Sequence, residues 1–108
     1  MASQETLDIL RRYLSRIIAE GIPAKGLVLY GSRAKGRERP ESDIDVIVLL
    51  DDGSTPREID SIWTQLEHLT IRIDTRIETW PVTIRRFQTD EVSPLIILAR
   101  CEGIPIAA

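Results

Sequence analysis

Two aspartates and a glycine–serine pair form the part of this sequence best suited to chemistry. Asp43 and Asp45 lie two residues apart at the start of an apolar run, and Gly31 and Ser32 end an earlier one. Because side chains alternate along a β-strand, the two carboxylates point the same way, with Cα atoms about 7 Å apart. Carboxylates at this separation can share a divalent ion, and Mg²⁺ prefers oxygen ligands completed by substrate phosphates. The pattern therefore predicts a magnesium site that takes a phosphate-bearing substrate.

The glycine–serine pair is predicted to hold the phosphate chain of such a substrate. Gly31 allows a sharp turn and the close approach of a ligand to the backbone. A short helix is expected over residues 32–35, and its free N–H groups would face the same space as the Ser32 hydroxyl. Arg33 and Lys35 are expected to neutralise the phosphates, although simple exposure to solvent is the alternative for both.

An ordinary surface turn followed by solvated aspartates is the alternative interpretation of the whole stretch. It would require the glycine turn, the aspartate pair and the two flanking apolar runs to coincide by chance. Two carboxylates that enter an apolar strand side by side also repel each other unless a cation compensates their charge. The combination therefore favours a site for a cation and a phosphate.

The segments GSRAKG (31–36) and SDIDV (42–46) resemble the signature of the minimal nucleotidyltransferases, small members of the polymerase-beta-like superfamily. That signature is a hydrophobic residue, Gly-Ser, a spacer, Asp-hydrophobic-Asp and a third acidic residue on a later strand. The resemblance implies Mg²⁺-dependent transfer of a nucleoside monophosphate from an NTP, with AMP from ATP as the expected case, to a hydroxyl acceptor. It also implies that Gly31 and Ser32 hold the β- and γ-phosphates, and that Asp43 and Asp45 bind the metal.

Asp74 and Glu78 are the candidates for the third carboxylate, which would accept a proton from the attacking hydroxyl or complete the metal site. Residues 71–78 alternate between apolar and polar side chains, so they are predicted to form the third strand with both acids on its polar face. The two acids would lie about 13 Å apart along that strand, so only one can meet the aspartate pair. The family's offset to the segment that here begins at Pro81 favours Glu78, and Asp74 is the alternative. Each could instead pair with a neighbouring arginine.

The predicted helices and strands give an α/β (α+β) fold in a single domain over residues 1–108. Besides the short helix at residues 32–35, helical spacing of apolar residues and capping signals predict four helical segments, at residues 4–20, 56–68, 84–87 and 94–102. Strands are predicted at residues 26–30, 43–50, 71–78 and 104–106. Pro81 is expected to prevent the third strand from continuing further. We expect a small mixed β-sheet with helices packed mainly on one face, which is the polymerase-beta-like nucleotidyltransferase fold.

Composition narrows the classes of function. A net charge of −3 argues against a free-standing, non-specific nucleic-acid-binding protein, which would usually be basic. The single cysteine, Cys101, cannot form an internal disulfide, so a reducing cytoplasm is the expected location. No apolar run approaches the roughly 20 residues that span a membrane, so no membrane association is expected.

The chain is expected to be too short to supply its own acceptor site. The family resemblance implies a partner, typically a small helical HEPN-type protein, to which the transferase adds AMP as an antitoxin; assembly into a homo- or hetero-oligomer is compatible with this. One alternative is a non-catalytic antitoxin that neutralises its partner by contact. Another is a nucleotidyltransferase that modifies a small molecule such as an antibiotic. The intact aspartate pair favours catalysis, and the lack of a second domain argues against the small-molecule acceptor.

Overall fold

A computed structural model describes residues 2–107 as helices and strands that alternate along most of the chain. In chain order the elements are α1 (Gln4–Ala19), β1 (Ala24–Tyr30), β2 (Ile44–Leu50), α2 (Pro56–Ile73), β3 (Ile77–Thr83), α3 (Ile84–Thr89), α4 (Pro94–Glu102) and β4 (Ile104–Ala107). Among the helices in this range, none combines the length and the apolar character needed to cross a bilayer.

The four strands form one mixed sheet in the order β3-β2-β1-β4. Strand β1 pairs antiparallel with both β2 and β4, whereas β2 and β3 are parallel. A parallel pair requires a crossover connection, and α2 supplies it between β2 and β3. This arrangement confirms the predicted α/β class with a small mixed sheet.

The sheet buries both faces, but not equally. The two long helices, α1 and α2, pack on one face against the larger core, which takes Ile44, Val46 and Val48 from alternate positions of β2. The short helices α3 and α4 cover part of the other face, where Ile47 joins a smaller apolar cluster. Asp45 therefore points to the face with less cover, because it has the same parity as Ile47.

Helix α2 is longer than its predicted span, and this corrects the prediction of a strand over residues 71–78. Leu66, Leu69 and Thr70 are buried at helical spacing, and Ile73 continues that stripe against the core as the last residue of the helix. Asp74 is the C-terminal cap, since its N–H donates to the carbonyl oxygen of Thr70. The apparent period of two across residues 71–78 spans a helix end and a strand start, so the strand prediction was wrong for residues 71–76, and only residues 77 and 78 of the predicted span lie in β3.

Pro81 does not break β3, contrary to expectation. The strand runs through it to Thr83, with Pro81 opposite Val48 in the parallel register. The N–H of Ile44 donates to the carbonyl oxygen of Arg76, so even-numbered residues of this segment bond to β2 and odd-numbered ones face outward. Since β3 is an edge strand, a proline at an outward-facing position removes no bond from the sheet.

Tyr13 links α1 to α2 and to β3 through its hydroxyl group. Its ring is fully buried, and its hydroxyl lies 3.1 Å from the carbonyl oxygen of Leu66 and 3.1 Å from the hydroxyl of Thr79. The first contact reaches α2 and the second reaches β3. Burial raises the pKa of Tyr13 to about 12, and the hydrogen bond with Thr79 opposes this rise.

Replacement of Tyr13 by phenylalanine should lower the free energy of unfolding by about 1 kcal/mol at pH 7, because two buried hydrogen-bonding contacts are lost. The advantage of the wild type should shrink from pH 10 and reverse before pH 12, because the unfolded chain releases the Tyr13 proton about two pH units below the folded chain, which costs the wild type about 3 kcal/mol in all. Urea unfolding across this range measures both effects. Equal stability at pH 7, or a difference that stays constant up to pH 12, would contradict the role of this hydroxyl.

Candidate active site

Three of the predicted carboxylates, Asp43, Asp45 and Glu78, meet at one end of the sheet, where β1 ends and β2 and β3 begin. Asp45 lies opposite Tyr30 in the antiparallel register and opposite Glu78 in the parallel register. Strands pair about 4.8 Å apart, and residues in register point to the same face, so the Asp45 and Glu78 side chains are neighbours. Asp43 precedes them on the exposed approach to β2. The structure thus brings Asp43, Asp45 and Glu78 together.

The negative charge of this group is uncompensated. Partial burial raises the pKa of Asp45, and the charges of Asp43 and Glu78 raise it further. The same surroundings act on Tyr30, whose pKa is raised by burial and then by the charges of Asp45 and Glu78. Within residues 2–107, none of the three carboxylates forms an ion pair. A cation at this end of the sheet would therefore relieve a repulsion that the protein leaves in place.

Gly31 touches the carboxylate of Asp45. Its φ angle is +78°, in the left-handed region that favours glycine, and a Cβ atom built on it would lie 2.6 Å from Oδ2 of Asp45. The glycine is needed for both reasons: the turn has a positive φ, and the space beside the backbone is already occupied.

The segment after Gly31 forms hydrogen-bonded turns, and this corrects the prediction of a short helix over residues 32–35. The carbonyl oxygen of Ser32 accepts hydrogen bonds from the N–H groups of Lys35 at 3.1 Å and Arg37 at 2.9 Å. A backbone folded in this way presents no helix N-terminus at Ser32. Any phosphate contact here would come from the turn itself and from the Ser32 hydroxyl.

Arg33 fixes the loop before Asp43 and does not face the site. Its side chain is 3% exposed, and its guanidinium donates to the carbonyl oxygen of Ser42 through both Nε and Nη2, at 3.1 and 3.0 Å. Further bonds reach the hydroxyl of Thr6 and the carbonyl oxygens of Arg39 and Pro40. All three nitrogens are engaged, so the expectation that Arg33 neutralises phosphates is corrected.

Lys35 is exposed, and its ammonium group forms an ion pair. Its Nζ lies 2.8 Å from Oε2 of Glu102, at the C-terminal end of α4. Exposed ion pairs of this kind contribute about 0–1 kcal/mol, so a phosphate could displace Glu102 at little cost. The pair also places the glycine turn against α4.

Asp74 is engaged away from the aspartate pair. Its carboxylate accepts hydrogen bonds from the backbone N–H of Arg76, from Nε and from Nη2, at 2.9, 2.9 and 2.7 Å. The Arg76 guanidinium beside it holds the pKa of Asp74 below its usual range. Arg76 in turn donates to the carbonyl oxygen of Pro40, so Asp74 helps to brace the same loop as Arg33. The end of α2 at Ile73 is what separates Asp74 from the strand face that carries Glu78.

A cleft of about 380 Å³ contains the three acids. It is lined by Tyr30, Asp43, Asp45, Trp63, Glu78, Thr79, Trp80 and Leu95. Trp63, Trp80 and Leu95 come from three separate elements, so no local sequence motif marks them as part of the site. Nε1 of Trp63 donates to the carbonyl oxygen of Thr79 at 2.9 Å, and the guanidinium carbon of Arg86 lies 5.6 Å from the ring centroid of Trp80.

The acids suit a metal ion that a substrate helps to hold. Across residues 2–107, no three His, Cys, Asp or Glu side chains converge closely enough to hold an ion by themselves. Mg²⁺ commonly takes only one or two carboxylates and completes its shell with water and phosphate oxygens. Asp43 and Asp45 supply oxygen donors of that kind, and the charge on Asp45 lacks a counter-ion. These residues therefore fit Mg²⁺ bound together with a phosphate group.

The sequence of the chain is similar to those of nucleotidyltransferases. A family model described as polymerase beta, nucleotidyltransferase matches residues 14–90. The chain is also similar to a proposed protein adenylyltransferase of Methanocaldococcus jannaschii, with 36% identity over 52 residues. That match covers 48% of this chain and 51% of the other protein, so the chain spans about half the length of the curated relative.

Solved structures share the fold at low sequence identity. A proposed nucleotidyltransferase from Sulfolobus solfataricus matches with a TM-score of 0.61 and 12% identity, over 94% of this chain and 78% of the other. A toxin–antitoxin with AMP-PNP matches with a TM-score of 0.55 and 17% identity, over 87% and 69% of the two chains. A mutant of the toxin–antitoxin MntA–HpeT matches with a TM-score of 0.55 and 16% identity, over 88% of this chain and 69% of the other.

Replacement of Gly31 by alanine should disturb Asp45, and Gly21 offers a matched control. Both glycines have a positive φ, at +78° and +81°, but a Cβ atom on Gly21 would meet nothing within 4 Å. Each alanine variant should lose about 1–2 kcal/mol of stability from the backbone strain alone. Only Gly31→Ala should also weaken binding of MgATP, by tenfold or more, as measured by titration calorimetry. Equal nucleotide affinity in the two variants would contradict the contact between Gly31 and the site.

Proposed function

The chain belongs to the polymerase beta nucleotidyltransferase family, and we propose that it transfers AMP from MgATP to a hydroxyl group of a partner protein. The observation that carries this proposal is the alignment of Gly31, Asp45 and Glu78 across three adjacent chain segments. The similarity to a protein adenylyltransferase supports AMP as the transferred group, and the neighbour with AMP-PNP supports an adenine nucleotide as donor.

The two sides of Asp45 have different tasks in this proposal. Gly31 lies against one side, where the turn can bring the backbone and the Ser32 hydroxyl close to the β- and γ-phosphates. Glu78 lies on the other side, on the neighbouring strand. The α-phosphate would then sit between them, beside Asp43 and Asp45.

Asp43 and Asp45 would hold Mg²⁺ together with the phosphates. When bound, Mg²⁺ would draw charge from the phosphate oxygens and help to neutralise the pyrophosphate that leaves. The raised pKa of Asp45 supports this assignment, because it reflects a carboxylate whose negative charge is unfavourable without a cation.

Glu78 would act on the acceptor. The acceptor oxygen forms a bond to the α-phosphorus, the bond from that phosphorus to the bridging oxygen breaks, and pyrophosphate leaves. The proton of the acceptor hydroxyl passes to the carboxylate of Glu78, which lies on the side opposite the glycine turn. Glu78 is exposed, so it can reach a hydroxyl that enters from solvent.

A small helical HEPN-type protein is the partner we propose, with the chain acting as its antitoxin in the cytoplasm. The toxin–antitoxin neighbours support a partner of this general kind. The same neighbours also favour a second candidate, neutralisation of the partner by contact without catalysis. The cluster of three uncompensated carboxylates argues for catalysis, because contact alone gives no reason to keep a repulsive group at the end of a sheet.

Asp43→Asn and Asp45→Asn should each abolish transfer without loss of the fold. The assay incubates the protein with MgATP labelled at the α-phosphate and with the product of the neighbouring gene, and measures covalent label and released pyrophosphate. The matched control is Asp60→Asn, an exposed aspartate of α2 outside the cleft, which should keep full activity. Asp45→Asn should not destabilise the ion-free protein at pH 7, since it removes a carboxylate whose pKa is raised. Wild-type transfer by both site variants would contradict the assignment of the metal site to Asp43 and Asp45. Absence of label transfer by the wild type, with the partner still neutralised, would leave neutralisation by contact as the function.

Glu78→Gln should cost far more activity than Asp74→Asn. Loss of a general base typically lowers the rate by roughly 10²–10⁴-fold, and glutamine preserves the size of the side chain. Asp74→Asn removes the ion pair with Arg76, so its main effect should be lower stability in urea unfolding. Comparison of kcat for both variants at saturating MgATP tests the assignment. An inactive Asp74→Asn beside an active Glu78→Gln would show that Asp74 supplies the third acid.

A further inference from the structure

Exposed apolar side chains gather around the cleft. Among the described residues, Trp63 and Leu95 line the cleft and remain 36% and 48% exposed, and Leu98 is 37% exposed one helical turn beyond Leu95. Single exposed leucines are common on protein surfaces, but a contiguous group beside a reactive cluster often marks a binding surface. Ile18 and Ile71 are also exposed, yet neither lines the cleft.

Helix α4 forms one wall of the site along its exposed side. Leu95 and Leu98 are three residues apart and share a face of the helix, and Glu102 continues that face one turn further. Glu102 pairs with Lys35 of the glycine turn, while Leu95 lines the cleft beside the acids. The wall therefore runs for about 10 Å from the aromatic end of the cleft to the glycine turn.

The direction of the reaction assigns a role to this wall. In an in-line displacement the acceptor enters opposite the leaving group. If the pyrophosphate lies toward Gly31, the acceptor must approach from the side of Glu78. Trp63 and Trp80 lie on that side and line the same cleft as Glu78.

We propose that Trp63, Trp80, Leu95 and Leu98 form the acceptor-docking face, and that it takes a polypeptide segment with apolar side chains around the acceptor hydroxyl. This inference rests on the proposed nucleotidyl transfer and adds the chemistry by which the acceptor is recognised. Trp63, Leu95 and Leu98 present apolar surface to solvent that such a segment would bury. Trp80 is only partly exposed and adds a smaller apolar surface between the cleft and the core.

The charges around the docking face favour a polypeptide over a polyanion. Arg86, stacked over Trp80, pairs with Asp90; Lys35 pairs with Glu102. Arg100 of α4 pairs with Glu91. A nucleic acid that bound these three cations would have to break their ion pairs, and it would also approach the three acids of the cleft. A segment without acidic residues meets neither obstacle.

Synthetic 12-residue peptides test the proposal directly. Each carries one serine, threonine or tyrosine, flanked either by leucines or by aspartates, and a single-stranded oligonucleotide with a free 3′-hydroxyl serves as the polyanion. The chain has only two tryptophans, and both line the cleft, so intrinsic fluorescence with AMP-PNP and Mg²⁺ present reports peptide binding at this place. Transfer is followed in parallel from α-labelled ATP. The leucine-flanked peptides should bind at least tenfold more tightly than the aspartate-flanked ones.

Variants of the wall provide the second arm. Leu98→Glu should weaken binding of the leucine-flanked peptides at least tenfold and leave AMP-PNP affinity unchanged, because Leu98 does not line the cleft. Leu95 does line the cleft, so its variant is the uncharged Leu95→Gln, which should also weaken peptide binding at least tenfold. Ile71→Glu is the matched control, because Ile71 is 69% exposed but lies on the last turn of α2, outside the cleft. It should change neither affinity.

The outcomes separate this inference from the proposed function. Binding of the leucine-flanked peptides that needs Leu95 and Leu98, without any transfer of label, would support the docking face and count against catalysis. Transfer to any acceptor that is indifferent to flanking leucines, or that prefers the oligonucleotide, would overturn the docking face and keep catalysis. Peptide binding reduced equally by Ile71→Glu, or absent altogether, would also overturn it.

Discussion

Electrostatic repulsion at the end of the sheet is the constraint on which this structure depends. Asp45 sits half-buried between Asp43 and Glu78, and its pKa is raised by burial and by both neighbours. An arrangement of this kind lowers the stability of the ion-free fold. It persists only because contacts elsewhere in the molecule hold the backbone of Asp45 in place. The buried alternate positions of β2 and the pairing of β2 with both neighbours hold Asp45 where it is.

Two arginines outside the cleft fix the loop that leads to Asp43 and Asp45. Arg33 donates hydrogen bonds to three carbonyl oxygens of the loop before Asp43. Arg76 donates a further hydrogen bond to one of these, the carbonyl oxygen of Pro40. Asp74 orients Arg76 through a paired contact at 2.7 Å. Cations that local sequence would assign to the substrate are thus used to fix the backbone that presents the acids. Neither arginine is free to bind a phosphate, which suits a site that depends on a bound metal ion.

The parts of the site that could be predicted from sequence are those in which local pattern and local structure coincide. Gly31 and the aspartate pair lie within one hairpin, where the alternation of side chains along each strand fixes which of them share a face. The choice between Asp74 and Glu78 could not be made from periodicity, because residues 71–78 fit a strand pattern while burial of Leu69 and Ile73 continues a helix. The burial of Arg33 and the convergence of Trp63, Trp80 and Leu95 depend on contacts between distant segments, which no local pattern encodes. Pro81 was misjudged because its tolerance depends on the strand being at the edge of the sheet.

That same edge has a consequence for how the protein behaves at high concentration. The outward side of β3 would ordinarily offer unpaired backbone groups to a strand from another molecule, which is a common route to aggregation. Here Pro81 has no N–H to offer, and the outward carbonyl oxygen of Thr79 already accepts a hydrogen bond from Trp63. An incoming strand would lose two of its ladder contacts within three residues. The edge strand that carries Glu78 is therefore protected against intermolecular β-sheet extension, and the mouth of the cleft beside it stays open to solvent.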